Sequence, residues 1–252
     1  MKKPLIGAMV LCHRRAYLLE EIVLQLSKYW PDQSVVHFCM DRPTPEVEAK
    51  VAALVRHAIT VKCRAYYLDF PVVSSQGERY MEARNVQLEA LHEDEPEYIA
   101  FWDDDLLMAS PEEAVAFIRG GLADLVYAKK LYLWDKPTQY TTHLPEHNSV
   151  FLFKRRRGDQ FPLDRIIQAP EPLHSEAKHV AQMTTPLLDV GYMYEEERRR
   201  IFKAYAKAGK IDGLTQGLLD QPKLVSIISI TKNHHNLIQA LNEHQPRKPA
   251  VH

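Results

Sequence analysis

Short apolar runs recur through the first half of the chain, each cut off by polar residues and followed by a segment with helical spacing. Leu5-Ile6-Gly7-Ala8-Met9-Val10-Leu11 gives way to His13-Arg14-Arg15, Ser34 to Met40 ends at Asp41-Arg42-Pro43, and Tyr98 to Trp102 stops at Asp103-Asp104-Asp105. A continuous apolar run too short for a helix reads as a strand covered on both faces. Between the runs lie amphipathic stretches. Leu18, Leu19, Ile22, Val23, Leu26 and Tyr29 mark one; Val47, Val51, Leu54 and Val55 mark a second, from Pro45 to His57; a third covers residues 78 to 92. Ile59-Thr60-Val61 starts another strand. This alternation predicts an α/β chain with a mainly parallel sheet flanked by helices. Ligands of such sheets bind at the carboxyl ends of the strands. Cys12-His13-Arg14, Asp41 and the three aspartates all fall there.

Beyond residue 124 the pattern changes. Asp124 to Leu133 and Ser149 to Phe153 read as strands, separated by a polar loop with Pro137, His143, Pro145 and His147. Residues 155 to 190 read as irregular, because Pro162, Pro170, Pro172 and Pro186 break any long helix. A helix returns over 193 to 209, acidic in its first turn and basic towards its end, which suits the helix dipole. A last strand spans Leu224 to Ile230. The chain divides into residues 1–130, residues 131–235 and a polar tail, 236–252.

The 252 residues suffice for one large domain. Lys+Arg 32 against Asp+Glu 33 leaves a formal charge of -1, so bulk charge selects no polyanionic partner. Cys12, Cys39 and Cys63 are too few and scattered for a disulfide framework or a zinc ribbon. With no apolar run long enough for a membrane anchor, the expectation is a soluble, unprocessed cytoplasmic protein. The first strand is followed by Cys12-His13-Arg14-Arg15 where a dinucleotide-binding turn needs Gly-x-Gly-x-x-Gly.

Three adjacent carboxylates repel one another, so Asp103-Asp104-Asp105 is unfavourable unless a cation or hydrogen bonds offset it. In an extended segment residues 103 and 105 share a side and can address one Mg2+ or Mn2+. A solvated acidic turn, with Asp104 or Asp105 capping a neighbour, is the other reading.

Gly77, then Ala83-Arg84-Asn85-Val86 on a helix, then Tyr98-Ile99-Ala100-Phe101-Trp102-Asp103-Asp104-Asp105 resembles the core of glycosyltransferase family 2 and its GT-A relatives. The resemblance covers roughly residues 4 to 130. It implies a Rossmann-like GT-A fold with a donor half and a smaller acceptor-side half. It also implies a nucleotide-sugar donor, a UDP-sugar first, and Mn2+ or Mg2+ on Asp103 and Asp105. Cys12, His13, Arg14, Asp41, Arg84, Asp103 and Asp104 would bind the donor. His174, His179 and Asp189 are candidates for a late metal ligand, Asp189 standing near the place where several relatives carry histidine. The carboxylate that accepts the acceptor's proton is sought at Asp164 or Glu171. The activity implied is hexosyl or pentosyl transfer; nucleotidyl transfer and a catalytically dead sugar-nucleotide binding module are the rivals.

For the acceptor hydroxyl the sequence offers charge alone. Lys154-Arg155-Arg156-Arg157, Lys129-Lys130 and Arg198-Arg199-Arg200 are either solvated faces or contacts to a polyanion such as DNA. By analogy with small viral transferases, hydroxymethylated pyrimidine in DNA is the first acceptor considered. A surface polysaccharide or other glycan is the second.

Overall fold

The structure, a computed structural model, describes residues 3–68, 76–109, 111–142, 144, 147–162, 176–207 and 224–226. Asp164, Glu171, His174 and the tail 236–252 lie outside the described residues.

The donor half follows the expected alternation: β1 (Ile6–Cys12), α1 (Ala16–Tyr29), β2 (Ser34–Met40), α2 (Pro45–His57), β3 (Lys62–Tyr67), α3 (Gln76–Asp94) and β4 (Tyr98–Asp103). Next come β5 (Leu106–Met108), α4 (Pro111–Gly120), β6 (Leu125–Trp134), β7 (Lys136–Thr141), β8 (His147–Lys154), β9 (Val180–Gln182), β10 (Leu187–Asp189), α5 (Glu195–Lys207) and β11 (Leu224–Ser226). Among the described residues the strands form one sheet, ordered β11-β7-β6-β8-β4-β1-β2-β3. β5, β9 and β10 pair off this path, β9 and β10 both parallel to β6. The stretch β4-β1-β2-β3 is parallel throughout, and antiparallel β8 separates β4 from β6. Among the described residues no helix is long and apolar enough to cross a membrane.

β1 shows why its run is unbroken. Ile6, Ala8, Val10 and Cys12 enter the core beneath α1, while Met9 packs on the α3 side with Met81, Leu88 and Leu91. Gly7 lets α3 approach closely: a Cβ there would sit 2.8 Å from both Leu91 and Pro96.

Three expectations are corrected. Ile59 is 94% exposed, and the third strand begins at Lys62. β7 occupies part of the expected polar loop, recruited by pairing with β6 and β11. β9 and β10 lie inside the stretch read as irregular; three residues are too few for a periodicity, and pairing with β6 places them. β5 and α4 had no counterpart in the sequence reading.

A polar cluster joins β2, β3 and the end of α3. Asp94 accepts from His37 Nε2 at 2.8 Å, from Arg64 at 2.8 Å and from Lys62. Burial pushes the His37 imidazole below its ordinary value despite the Asp94 carboxylate. Burial raises Asp94, but the bonds from Lys62, His37 and Arg64 outweigh it and hold the carboxyl low. Both groups therefore take up protons more readily in the unfolded chain. The contribution of this cluster to stability is expected to be full above about pH 6.5, to fall as pH drops through the unfolded imidazole value, and to fall again below about pH 4 as Asp94 protonates. The difference in denaturant midpoint between the wild type and His37→Gln across this range tests it: the difference should narrow as pH drops through about 6.5, and a difference independent of pH would contradict the assignment.

Candidate active site

β4 ends at Asp103, and the chain turns at once: the Trp102 indole donates to the Leu106 carbonyl at 2.6 Å. Residues 104 and 105 therefore belong to a turn, and strand alternation does not govern them. The three carboxylates go to three places.

Asp103 faces α3. It accepts from the Tyr80 hydroxyl at 3.0 Å and pairs with the Arg84 guanidinium. Arg84 is fully buried, lies over the Phe101 ring at 4.2 Å, and donates to the Met9 carbonyl at 3.3 Å and to Gln87 at 2.8 Å. The expectation that Arg84 touches the donor is corrected: it lies under the strand ends and holds Asp103.

Asp104 faces β1. Its Oδ2 accepts the backbone N–H groups of His13 at 2.9 Å, Arg14 at 3.1 Å and Arg15 at 3.4 Å. These donors open α1, the position where many α/β folds bind a phosphate. Here the chain's own carboxylate fills it, which removes dinucleotide binding of the Rossmann kind on geometric grounds.

Asp105 faces β10 and α5. Its Oδ2 lies 2.7 Å from the point where a Cβ on Gly191 would stand, and the Asp189 Oδ1 lies 3.0 Å from the same point. Only glycine leaves that space open. Asp189 also accepts the Gly191 N–H at 2.9 Å, and the Asp105 carbonyl accepts the Val190 N–H at 2.8 Å, which clips β10 to the turn. Glu113 of α4 secures the approach to β10 through the N–H groups of Thr184 and Thr185, both at 2.8 Å. Burial first, and Asp105 second, push the Asp189 carboxyl up to about 7, against the opposing charges of Lys130 and Arg15. Two carboxylates this close need a shared proton or a cation.

Arg15 supplies one positive charge. Its Nη1 lies 3.3 Å from Asp104 Oδ1 and 3.3 Å from Asp105 Oδ2, and its Nη2 lies 3.5 Å from Glu197 of α5. Burial alone would lower the guanidinium's pKa; Asp105, Asp104 and Glu197 together raise it instead.

At the neighbouring strand end, His13 Nδ1 donates to the Asp41 carbonyl at 2.7 Å, and the Asp41 N–H reaches the Cys12 carbonyl at 3.1 Å. The Cys12 side chain is turned into the core, and burial raises its thiol pKa, so it presents only backbone here. A cleft of about 730 Å³ opens beside Arg14 and Thr44, bounded by Tyr17, Lys50 and Glu197.

The structure thus brings Asp103, Asp104, Asp105, Asp189, His13 and Asp41 to one end of the sheet and leaves others out. His179 is exposed and sits against Asp124, near the start of β6. Val180 pairs with Leu125 and Asp189 with Tyr132, seven residues further along β6, or about 23 Å at the rise of a strand. His179 is therefore no partner of Asp105. Asp103, expected to share a metal with Asp105, is engaged by Arg84 and Tyr80, while Asp105 is engaged by Arg15. Among the described residues no three His, Cys, Asp or Glu side chains form a metal-binding group; the convergent pair is Asp105 and Asp189.

Several residues of the basic runs are held in local pairs. Lys154 pairs with Tyr98 at the start of β4, about 17 Å from Asp103 at the rise of a strand. Arg155 donates to the Pro96 carbonyl and Arg156 pairs with Glu176. Arg198, Arg199 and Arg200 pair with Asp135, Glu195 and Glu197.

Arg15, Tyr80 and Glu197 were not singled out in the sequence. Tyr80 could have been found, since it stands one helical turn before Arg84.

No family profile and no curated protein matches the sequence. Solved structures do match in fold. The mannosyltransferase PcManGT from Pyrobaculum calidifontis, in complex with GDP-Man and Mn2+, aligns with a TM-score of 0.53 at 15% identity, covering 86% of this chain and 69% of that one. TarS of S. aureus aligns with a TM-score of 0.49 at 15% identity, covering 85% of this chain and 42% of that one. TarS 1-349 in complex with UDP-GlcNAc gives 0.47 at 15% identity, with 84% and 71% covered. This chain spans less than half the length of the longer TarS structure. The fold is that of the GT-A glycosyltransferases, a mixed α/β sheet flanked by helices.

Proposed function

We infer that the chain is a metal-dependent glycosyltransferase that moves a sugar from a nucleotide-sugar donor to a hydroxyl acceptor. One observation carries this reading: Asp105 and Asp189 converge over Gly191 at the carboxyl end of a GT-A sheet. Oxygen-only ligands suit Mg2+ or Mn2+, which take one or two carboxylates and complete their shell with water and substrate phosphates. PcManGT, which shares the fold, was solved with GDP-Man and Mn2+.

When bound, the divalent ion supplies Lewis-acid stabilisation of the leaving diphosphate. This chain's own residues bind and orient. Asp105 and Asp189 hold the cation's place. Asp103, fixed by Arg84 and Tyr80, is a rigid acceptor for donor hydroxyls. Asp104 aligns the backbone of His13 and Arg14, and the cleft beside Arg14 has room for a nucleoside. Asp164 and Glu171 stay the proposed proton acceptors for an inverting transfer.

For the acceptor, a hydroxyl on a glycan is favoured over hydroxymethylated pyrimidine in DNA. Of the basic runs that motivated DNA, Lys154 lies at the far end of β4, and Arg155 and Arg156 are tied to Pro96 and Glu176.

The deciding experiment offers UDP- and GDP-sugars with Mn2+ or Mg2+, with oligosaccharides or hydroxymethylated DNA as acceptors. Metal-dependent release of nucleoside diphosphate is expected, faster with oligosaccharide. Release of pyrophosphate would make the chain a nucleotidyltransferase, and binding without release would make it a binding module.

A further inference from the structure

Arg15 puts a positive charge directly on Asp105, where a cation would bind. Its side chain is 13% exposed, and it lies equally close to Asp104 and Asp105, with Glu197 just beyond. Of these partners Asp104 is already committed to three backbone N–H groups. Asp105 is the oxygen donor that a divalent ion over Gly191 would share. A guanidinium and a divalent ion on one carboxylate repel strongly at low effective dielectric. The ion can therefore enter only if the guanidinium gives up Asp105, and a partly buried guanidinium needs another anion in exchange. Glu197, already shared between Arg15 and Arg200, is at most half of that replacement. The other half is the doubly charged diphosphate of the donor, for which a guanidinium offers a matching fork of donors.

We propose that Arg15 is a built-in counter-cation that holds Asp105 until a nucleoside diphosphate arrives, so that metal and nucleotide bind as a linked pair. The proposal rests on the reading of Asp105 and Asp189 as metal ligands. Arg15 acts here as a positioning residue, through the carboxylates.

The test is calorimetric titration of Mn2+, with and without UDP, on the wild type and on Arg15→Gln, Glu197→Gln and Asp105→Asn. Arg15→Gln should bind Mn2+ alone about tenfold tighter or more, because the competing charge is gone. It should also show a smaller gain on adding UDP, and by linkage Mn2+ should then enhance UDP binding less. With EDTA present this variant should melt lower than the wild type, since three carboxylates lose their shared cation, and Mn2+ should restore it. Glu197→Gln, which also weakens the pair with Arg200, should move the other way and weaken Mn2+ binding, because Arg15 then leans wholly on Asp104 and Asp105; melting in EDTA checks that it is folded. If Asp105→Asn abolishes Mn2+ binding while Arg15→Gln and Glu197→Gln titrate like the wild type, the counter-cation role is overturned and the metal reading stands. If Asp105→Asn titrates like the wild type, the metal reading itself fails and this inference goes with it. A merely structural Arg15 would weaken Mn2+ binding when replaced.

Discussion

Asp105→Asn should lower metal-dependent transfer by about a thousandfold, the scale of losing one preorganised charge at the reacting centre. Asn keeps the shape of the side chain and leaves the Asp105 carbonyl free to accept the Val190 N–H, so β10 stays clipped to the turn. What disappears is one of two anionic oxygens that converge over Gly191. Asp189 cannot compensate alone, because a buried carboxyl without its partner holds a divalent ion through a single ligand. Steady-state rates at saturating donor, measured against Mn2+ concentration, check this, and melting in EDTA confirms that the variant is folded. Gly191→Ala should give a similar loss by another route, since its Cβ would occupy the space between the two carboxylates. Activity within tenfold of the wild type in both variants would rule out this pair as the metal seat.

Arg84→Ala should cost about 3–5 kcal/mol of stability, the range for stripping one partner from a buried ion pair. Arg84 is 0% exposed and serves Asp103, Tyr80, Gln87 and the Met9 carbonyl at once. Removing it leaves a cavity and a carboxylate with only the Tyr80 hydroxyl. Arg84→Lys should recover only part of the loss, because an ammonium cannot span that set of acceptors. Urea unfolding midpoints read the effect directly. A loss under about 1 kcal/mol would mean that Arg84 behaves like a surface arginine.

β1, β2 and β4 were legible because each is covered on both faces, so its apolar run is unbroken and its end abrupt; β3, an edge strand exposed or half-buried along its length, was misplaced at its start. Asp103 to Asp105, Asp41 and the His13 turn were placed at strand ends on that basis, and they meet there. The sequence misled where long-range pairing overrides local pattern. β9 and β10 are three residues each, and what makes them strands is β6. Strand alternation put Asp103 and Asp105 on one side, whereas residues 104 and 105 lie in a turn, with Asp103 on Arg84 and Asp105 on Arg15. Asp189 was named only through resemblance, and its meeting with Asp105 depends on a glycine two residues later. Arg15 and Glu197 stand 182 positions apart (197 − 15) and meet across the site; no spacing within either helix signals that.

Asp104 also has a meaning for the order in which this protein acquires its shape. Its carboxylate reaches back 91, 90 and 89 positions to His13, Arg14 and Arg15. A chain emerging from synthesis without β4 would carry the β1–α1 turn with those three N–H groups open to water. The turn becomes rigid only when β4 docks beside β1, and closing so long a loop is a slow, high-contact-order event. Local rigidity at residues 13–15 therefore reports assembly of the central sheet. Amide hydrogen exchange at these positions should slow in step with the exchange of β4 during refolding, and not with the earlier, locally formed turns of α1.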